Sequence, residues 1–384
     1  MKLPTKANMI IIGGGVMGAS IAYHLAKRGV RDIILLEKED YFGQGATGRC
    51  AGGVRYQFTT EVNIRLSQAS LPMLAGLEEE TGQTADYRPC GYLFLLTRES
   101  DLEIFRRNVA FQNQLGVPTL WLDGDEIRRM LPMMRLEDVL AGTIHEKDGL
   151  ADPNSVVMAY VNAAQRLGVE AYNSSEVTGI LSGGGHVRGV ETTAGNIDCD
   201  LVVNAAGPWA GQLGQLAGVE IPITPLRRQM FTTNQLPLIP VDFPFVIDFT
   251  QSLYFHREGP GLLIGMSNPH EKPGFDQSVD PEWELVNLEA AAARLPLLEH
   301  AGLTAHWAGL YENTPDAHPI FGATPLGGFY ICAGFSGHGF MHGPIAGMLM
   351  SEIILDGQAS TVDVAALDLG RFNRGELIRE YNVV

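Results

Sequence analysis

The spacing of apolar and polar positions changes several times along the chain, and each change predicts an element. Residues 9–12, Met-Ile-Ile-Ile, form a short apolar run of the kind buried on both faces of a sheet. Six residues with glycine at 13, 14, 15 and 18 follow, and residues 19–27 then carry helical spacing, with Gly29 placed to stop the helix. Residues 32–36 predict a second apolar strand that ends at Glu37. The first forty residues therefore read as strand, turn, helix, strand.

Beyond a glycine-rich loop over residues 43–53, residues 61–80 predict a helix with Thr59 or Thr60 as its cap. Residues 91–96 read as a strand, and Ser100 with Glu103 forms a capping-box pattern at the start of a helix over 101–115. An amphipathic helix is expected over 154–167 behind Pro153, then a strand over 169–172. Residues 194–203 suggest a hairpin and a strand running into Asn204-Ala205-Ala206-Gly207. From 221 to 265 the pattern turns to short β runs broken by prolines, and helix follows over 282–295. Residues 329–333 predict a strand, then a second glycine-rich turn and a helix over 344–354. There is no internal repeat and no flexible linker. Nucleotide-binding segments stand at the start, middle and end, so two interleaved domains are expected: 1–90 with 150–215 and 315–384, and 91–149 with 216–314.

Composition narrows the function. Lysine and arginine number 27 against 44 aspartate and glutamate, a formal charge of −17. That balance disfavours nucleic acid and anionic membrane surfaces as partners. Glycine makes up roughly 12% of residues against a usual ~7%, in clusters of the kind used where backbone must approach a ligand. Cys50, Cys90, Cys199 and Cys332 form no CxxC pair and no metal-ligand spacing with histidine, so no metal site is expected and a reducing, cytoplasmic location is. No run reaches the ~18 apolar residues of a membrane span, and the glycines within residues 2–22 argue against a signal peptide.

The strongest motif is Gly13-x-Gly15-x-x-Gly18 between a strand and a helix. Gly13 permits the tight turn, Gly15 lets backbone approach a pyrophosphate, and Gly18 lets the helix pack on the sheet. The first helical amides then face the phosphates. Glu37 ends the next strand, nineteen residues after Gly18, where a carboxylate accepts from an adenosine ribose. An acid there disfavours NADP, while NAD and FAD both remain open. The second constellation is Cys332-Ala333-Gly334-Phe335-Ser336-Gly337-His338-Gly339-Phe340-Met341, a strand, a glycine turn and a helix start suited to stabilising negative charge.

Together with "GATGRCAGGVRYQF" at 45–58, "VVNAAGPWA" at 202–210 and "TPDAHPIFG" at 314–322, these motifs resemble the FAD-dependent amine oxidoreductases of the D-amino-acid-oxidase superfamily. "GYLFLLTRES", "GFSGHGFM" and "RFNRGEL" are similar in particular to the β subunits of sarcosine oxidase and dye-linked L-proline dehydrogenase. The resemblance covers nearly the whole chain. It implies an α/β fold: a Rossmann-like, glutathione-reductase-like FAD domain interleaved with a substrate domain on a mixed or antiparallel sheet. It implies noncovalent FAD lying extended, with Gly13, Gly15, Val16, Met17 and Gly18 at the pyrophosphate, and Glu37 and Lys38 at the ribose. Val177, Ala206, Gly207 and Trp209 would lie in the adenosine region. Thr47, Arg49, Cys50, Ala51 and Gly52 would run beside the ring, and Gly337, His338, Gly339, Phe340 and Met341 at its pyrimidine end.

The implied reaction moves a hydride from the carbon beside nitrogen of a small secondary amine or amino acid, such as sarcosine or L-proline, to flavin N5, leaving an imine. Arg55 is the first candidate to hold a substrate carboxylate, with Arg49 as the alternative. Tyr254, His256, Tyr311 and His338 are candidates for substrate hydrogen bonding or proton transfer. Where monomeric sarcosine oxidases carry a flavin-linking cysteine this chain has Gly309, and it has no lysine in residues 262–265 to activate oxygen. An acceptor other than oxygen is therefore expected: a dye, a quinone or a partner flavin. The alternatives are a glycine or sarcosine oxidase and a noncatalytic FAD-carrying subunit of a larger complex. A partner flavoprotein subunit or a homo-oligomer is compatible with either.

Overall fold

The computed structural model describes residues 3–382. Its first sheet has six strands in the order Ile320–Ala323, Phe329–Ala333, Val202–Asn204, Met9–Ile12, Ile33–Leu36, Glu170–Tyr172. All neighbours are parallel except the pair Ile320–Ala323 and Phe329–Ala333. Ile12 pairs with Leu36 on one side and Asn204 on the other, and Asn204 pairs with Ile331. The carboxyl ends of these strands therefore share one edge, which is where open α/β sheets bind ligands. The apolar runs are buried on both faces because helices Val16–Lys27, Pro153–Arg166 and Gly339–Asp356 cover one side, and a three-stranded sheet with helix Ala210–Leu216 covers the other.

The second large sheet has eight strands: Leu303–Asn313, Thr224–Thr233, Gly261–Met266, Leu253–Glu258, Phe245–Asp248, Tyr92–Leu96, Ala141–His145 and Leu120–Asp123. It is antiparallel except where Phe245–Asp248 runs beside Tyr92–Leu96. Side-chain alternation divides it cleanly. Leu93, Leu95, Val246, Phe255 and Ile264 pack under helix Pro281–Arg294, while Tyr92, Phe94, Phe245, Ile247, Tyr254 and Met230 face the other way. A two-stranded link, Gly53–Val54 with Gly149–Leu150, joins the chain between the two sheets.

Most predicted elements are present with ends moved by a few residues, and three readings change. The helix over 61–80 is two helices, Glu61–Ala75 and Leu77–Thr81, broken at Gly76. Thr60 caps the first by position without a side-chain bond, because its hydroxyl is drawn to Glu380 and His318. The Ser100/Glu103 capping box does not form; the helix begins at Glu99 and Ser100 bonds the Asp101 carboxylate. The box stands instead at Asp123 and Glu126. The last helix starts at Gly339, five residues before its predicted start, and carries Pro344 inside its first turns.

Two motifs distant in sequence lock together behind the sheets. Arg371 is fully buried and donates to both oxygens of Asp316, at 2.9 and 3.0 Å, and to the carbonyls of His318 and Leu367. Burial alone would raise the Asp316 carboxyl; its bonds to Arg371 hold it below the usual range instead. The pair thus contributes stability above the ordinary carboxylate range that is lost as the pH falls below it. Removing one partner strands the other charge, so Arg371→Met should lower unfolding free energy by about 3–5 kcal/mol in urea titration. A loss under about 1 kcal/mol would show the pair to be dispensable.

Candidate active site

A cleft of about 630 Å³ runs along the carboxyl edge of the six-stranded sheet and ends against the tyrosine-bearing face of the eight-stranded one. That volume is typical of a cofactor or ligand site. At one end lies the first glycine bend. Gly13 has φ +110°, and a Cβ there would sit 2.3 Å from the Ala205 carbonyl oxygen, so only glycine makes the turn. Helix Val16–Lys27 begins at once, with no acidic residue and no capping side chain in its first turn. The Val16 amide donates to Thr47 Oγ1 at 3.2 Å, which ties the bend to the loop of residues 43–53. The Glu37 carboxylate accepts from the amides of Gly14 (2.6 Å) and Glu39 (2.9 Å); burial pushes its acidity toward the neutral form, and these two bonds oppose it. Lys38 stands 3.4 Å over the Trp209 ring, and Val177, Ala206 and Gly207 complete this end. Gly18 does not line the cleft; a Cβ there would meet the Gly13 carbonyl at 1.9 Å, so its role is close packing.

At the other end Gly337, His338, Gly339, Phe340 and Met341 line the cleft at the start of helix Gly339–Asp356, whose first turn also lacks an acid. Gly337 has φ +98°, and a Cβ would meet the Tyr311 ring at 2.4 Å. Thr47, Arg49, Cys50, Ala51 and Gly52 form the wall between the two ends. Glu312 lies between Gly207 and the second bend. One of its oxygens accepts from the Phe335 amide at 3.2 Å, and the other, Oε2, is enclosed without a partner. Burial raises this carboxyl to about 7.

The candidate catalytic side chains separate into two groups. Tyr254, Tyr311 and Arg55 line the cleft, with Tyr92, Met230, Phe245 and Ile247 around them. Burial raises the phenols of both Tyr254 and Tyr311, so they remain protonated. Arg55 is 5% exposed, donates to the carbonyls of Gln57 and Asn382, and lies 4.1 Å over the Phe58 ring. His256 is not in the cleft. It shares a strand face with Tyr254 but sits two residues further along, roughly 7 Å away, with its ring tilted against that of Phe245. Its Nδ1 meets the Arg257 carbonyl at 2.9 Å, and burial lowers it to about 4.

His338 borders the cleft, yet neither ring nitrogen is left to serve a substrate. Nε2 donates to the Ala317 carbonyl at 3.1 Å, so Nδ1 accepts from His342 Nδ1 at 3.2 Å, and His342 Nε2 accepts from Ser67 at 2.9 Å. Burial lowers His338 to about 3, and it is neutral throughout the physiological range. It forms wall and helix cap, which removes it as a proton-transfer candidate. Four further groups lie outside the sequence-based set: Arg228, Tyr92 and Glu312 on the cleft, and Glu380, whose buried carboxylate accepts from Thr59, Thr60, Asn63 and Asn382 behind Arg55. No local pattern marks them, since each acquires its place through strands or termini far away in sequence. Among the described residues no group of three His, Cys, Asp or Glu could hold a metal ion.

Residues 8–353 match the family described as DAO, FAD dependent oxidoreductase. The chain belongs to that family. It is 30% identical over 390 residues to the mitochondrial dimethylglycine dehydrogenase of Rattus norvegicus, covering 96% of this chain and 45% of that protein. It is 31% identical over 390 residues to the mitochondrial sarcosine dehydrogenase of Homo sapiens, covering 97% and 42%. The chain thus spans less than half the length of these two curated relatives. Against the crystal structure of L-proline dehydrogenase from P. horikoshii the TM-score is 0.91 at 34% identity, over 98% of this chain and all of that one. The cleft's chemistry fits the family's FAD: two acid-free helix starts suit negative charge, a carboxylate stands at the strand end, and a Cβ at either bend would collide.

Glu312 gives this site a pH signature. Its folded-state pKa is raised, so its contribution is favourable below the ordinary glutamate range and is lost as the pH rises through about 7. Glu312→Gln, which imitates the protonated form, should raise the melting temperature of the FAD-free protein more at pH 8 than at pH 5. An equal effect at both pH values would show that this carboxyl is not perturbed.

Proposed function

We propose that this protein binds FAD without a covalent link and dehydrogenates a small secondary amine or amino acid of the sarcosine or L-proline type, passing the electrons to an acceptor other than oxygen. The observation that carries the reading is the continuity of the cleft: it joins both glycine bends and opens on a chamber of tyrosines and arginines. The curated relatives, named for dimethylglycine and sarcosine, and the proline dehydrogenase structure support the choice of substrate class.

In this reading the amides after Gly13 and Gly15, with Val16 and Met17, take the pyrophosphate, and Glu37 takes the ribose. Residues 47–52 flank the ring, and residues 337–341 meet its pyrimidine end. FAD, when bound, supplies a two-electron acceptor. The chain supplies the rest. Tyr92, Phe245 and Ile247 exclude water around the reacting carbon, and Tyr254 and Tyr311 offer hydroxyls that hydrogen-bond rather than remove protons. The substrate nitrogen therefore loses its proton to solvent before the C–H bond breaks, and kcat/KM should rise with pH until the substrate ammonium is titrated.

The residues near the ring support the noncovalent reading. Gly309 packs against Arg49, where a Cβ would come within 3.0 Å, and burial raises the Cys50 thiol to about 12, leaving no thiolate to attack. Among the described residues the only lysine on the cleft is Lys38, at the nucleotide end, so the flavin end has no counterpart of the lysine that monomeric sarcosine oxidases use toward oxygen.

Three outcomes test the proposal. Titrated anaerobically with sarcosine, dimethylglycine, L-proline and glycine, the yellow holoprotein should bleach with at least one; bleaching with none contradicts amine oxidation. In steady state a dye should be reduced much faster than oxygen, and equal rates with peroxide release would reassign the protein as an oxidase. Acid precipitation should leave all flavin in the supernatant, whereas a yellow pellet would demonstrate a covalent bond.

A further inference from the structure

Three arginines line the cleft, and they differ in how much of each guanidinium is already used. Arg49 donates to the carbonyls of Gln44 and Ala308. Arg55 donates to Gln57 and Asn382 and is enclosed by the rings of Phe58, Tyr92 and Phe94. Arg228 has a single bond, from Nη1 to the Arg227 carbonyl at 2.9 Å, and its Nε is buried with no partner. No carboxylate among the described residues forms an ion pair with Arg228, whereas its neighbour Arg227 is ringed by Glu271, Asp276 and Asp280. The strand register explains the placement. Arg228 lies opposite Gly309 and Leu226 opposite Tyr311, so Arg228 is the diagonal neighbour of Tyr311, and its guanidinium stands 4.8 Å from that ring's centre. A partly desolvated cation held against an aromatic face, lacking an acid, is costly unless a ligand supplies the anion.

We propose that Arg228 binds and orients the substrate's carboxylate, with the Tyr311 ring supporting the guanidinium, and that it confines the site to amines that carry such a group. The inference rests on the amine-oxidation reading above and moves the carboxylate contact from Arg55 to a different strand. Nη2 and Nε together present the planar fork that a carboxylate meets with two parallel bonds, which lysine does not reproduce.

The test uses purified holoprotein and needs no turnover in its first arm. Acetate, a carboxylate without an amine, should perturb the flavin absorption spectrum saturably. Arg228→Gln should weaken acetate binding tenfold to hundredfold, the range of a lost charge-assisted contact, and Arg228→Lys should fall between. In the second arm Arg228→Gln should raise KM for sarcosine or L-proline by a similar factor. Flavin bleaching by pyrrolidine, the ring of proline without its carboxylate, should already be slow in the wild type, and Arg228→Gln should narrow the preference for L-proline over it. Arg228→Lys keeps the charge and the aliphatic stem, so it serves if the glutamine variant does not fold. Unaltered acetate binding in both variants would overturn the proposal, as would wild-type protein that acetate never perturbs. Loss of acetate binding in Arg55→Lys alone would return the role to Arg55. A wild type that binds acetate through Arg228 but is bleached by no amine would instead defeat the functional reading.

Discussion

Everything about this site depends on how closely two helices approach, one from each end of the chain. Helix Val16–Lys27 and helix Gly339–Asp356 touch backbone to backbone, because a Cβ on Gly347 would fall 2.1 Å from Ser20 Oγ and one on Gly343 would fall 2.4 Å from a Val16 methyl carbon. The Ser20 hydroxyl reaches across to the Pro344 carbonyl at 3.1 Å. Both helices start beside the same cleft, with glycine where a side chain would block a ligand and no acid where it would repel one. The close contact therefore converts two separate glycine turns into the two ends of one site, and it aligns two positive helix termini on it. The eight-stranded sheet then needs only to present one face, and strand alternation selects Tyr92, Phe245, Ile247 and Tyr254 for it.

The parts of the site that were legible in the sequence are those with local physical causes. A strand, three glycines at fixed spacing, a helix and an acid form one short unit, and Gly13, Gly15, Val16, Met17 and Glu37 all line the cleft. The second bend was equally visible, since residues 337–341 sit in one contiguous stretch. The family resemblance named Tyr254 and His256 together, and of the two only Tyr254 lines the cleft. Parity fixes the side of a sheet and not the distance along a strand, and His256 packs against Phe245 without reaching the cleft that Phe245 lines.

What could not be read locally was the partnering. His338 looks like a catalytic histidine until Ala317, His342 and Ser67 are seen to occupy its nitrogens and its neighbour's. Arg55 looked like a free loop cation, yet the C-terminal segment comes back to hold it, with Asn382 on the guanidinium and Glu380 gathering Thr59, Thr60 and Asn63 behind. Arg228 and Glu312 attract no notice in sequence because one is an arginine beside an arginine and the other a glutamate in a β run. Only the pairing of Thr224–Thr233 with Leu303–Asn313, and the turn at Gly334, give them their surroundings. The Ser100/Glu103 pattern failed for the opposite reason: the local signal was present, but the helix began two residues earlier, at Glu99.

The most direct test of the central claim is a crystal structure of the holoprotein. The account predicts FAD extended along the cleft, its ribose at Glu37, its pyrophosphate over the amides that follow Gly13 and its isoalloxazine between residues 47–52 and 337–341. A nucleotide lying in the reverse direction, or a flavin ring seated away from the second glycine bend, would contradict it.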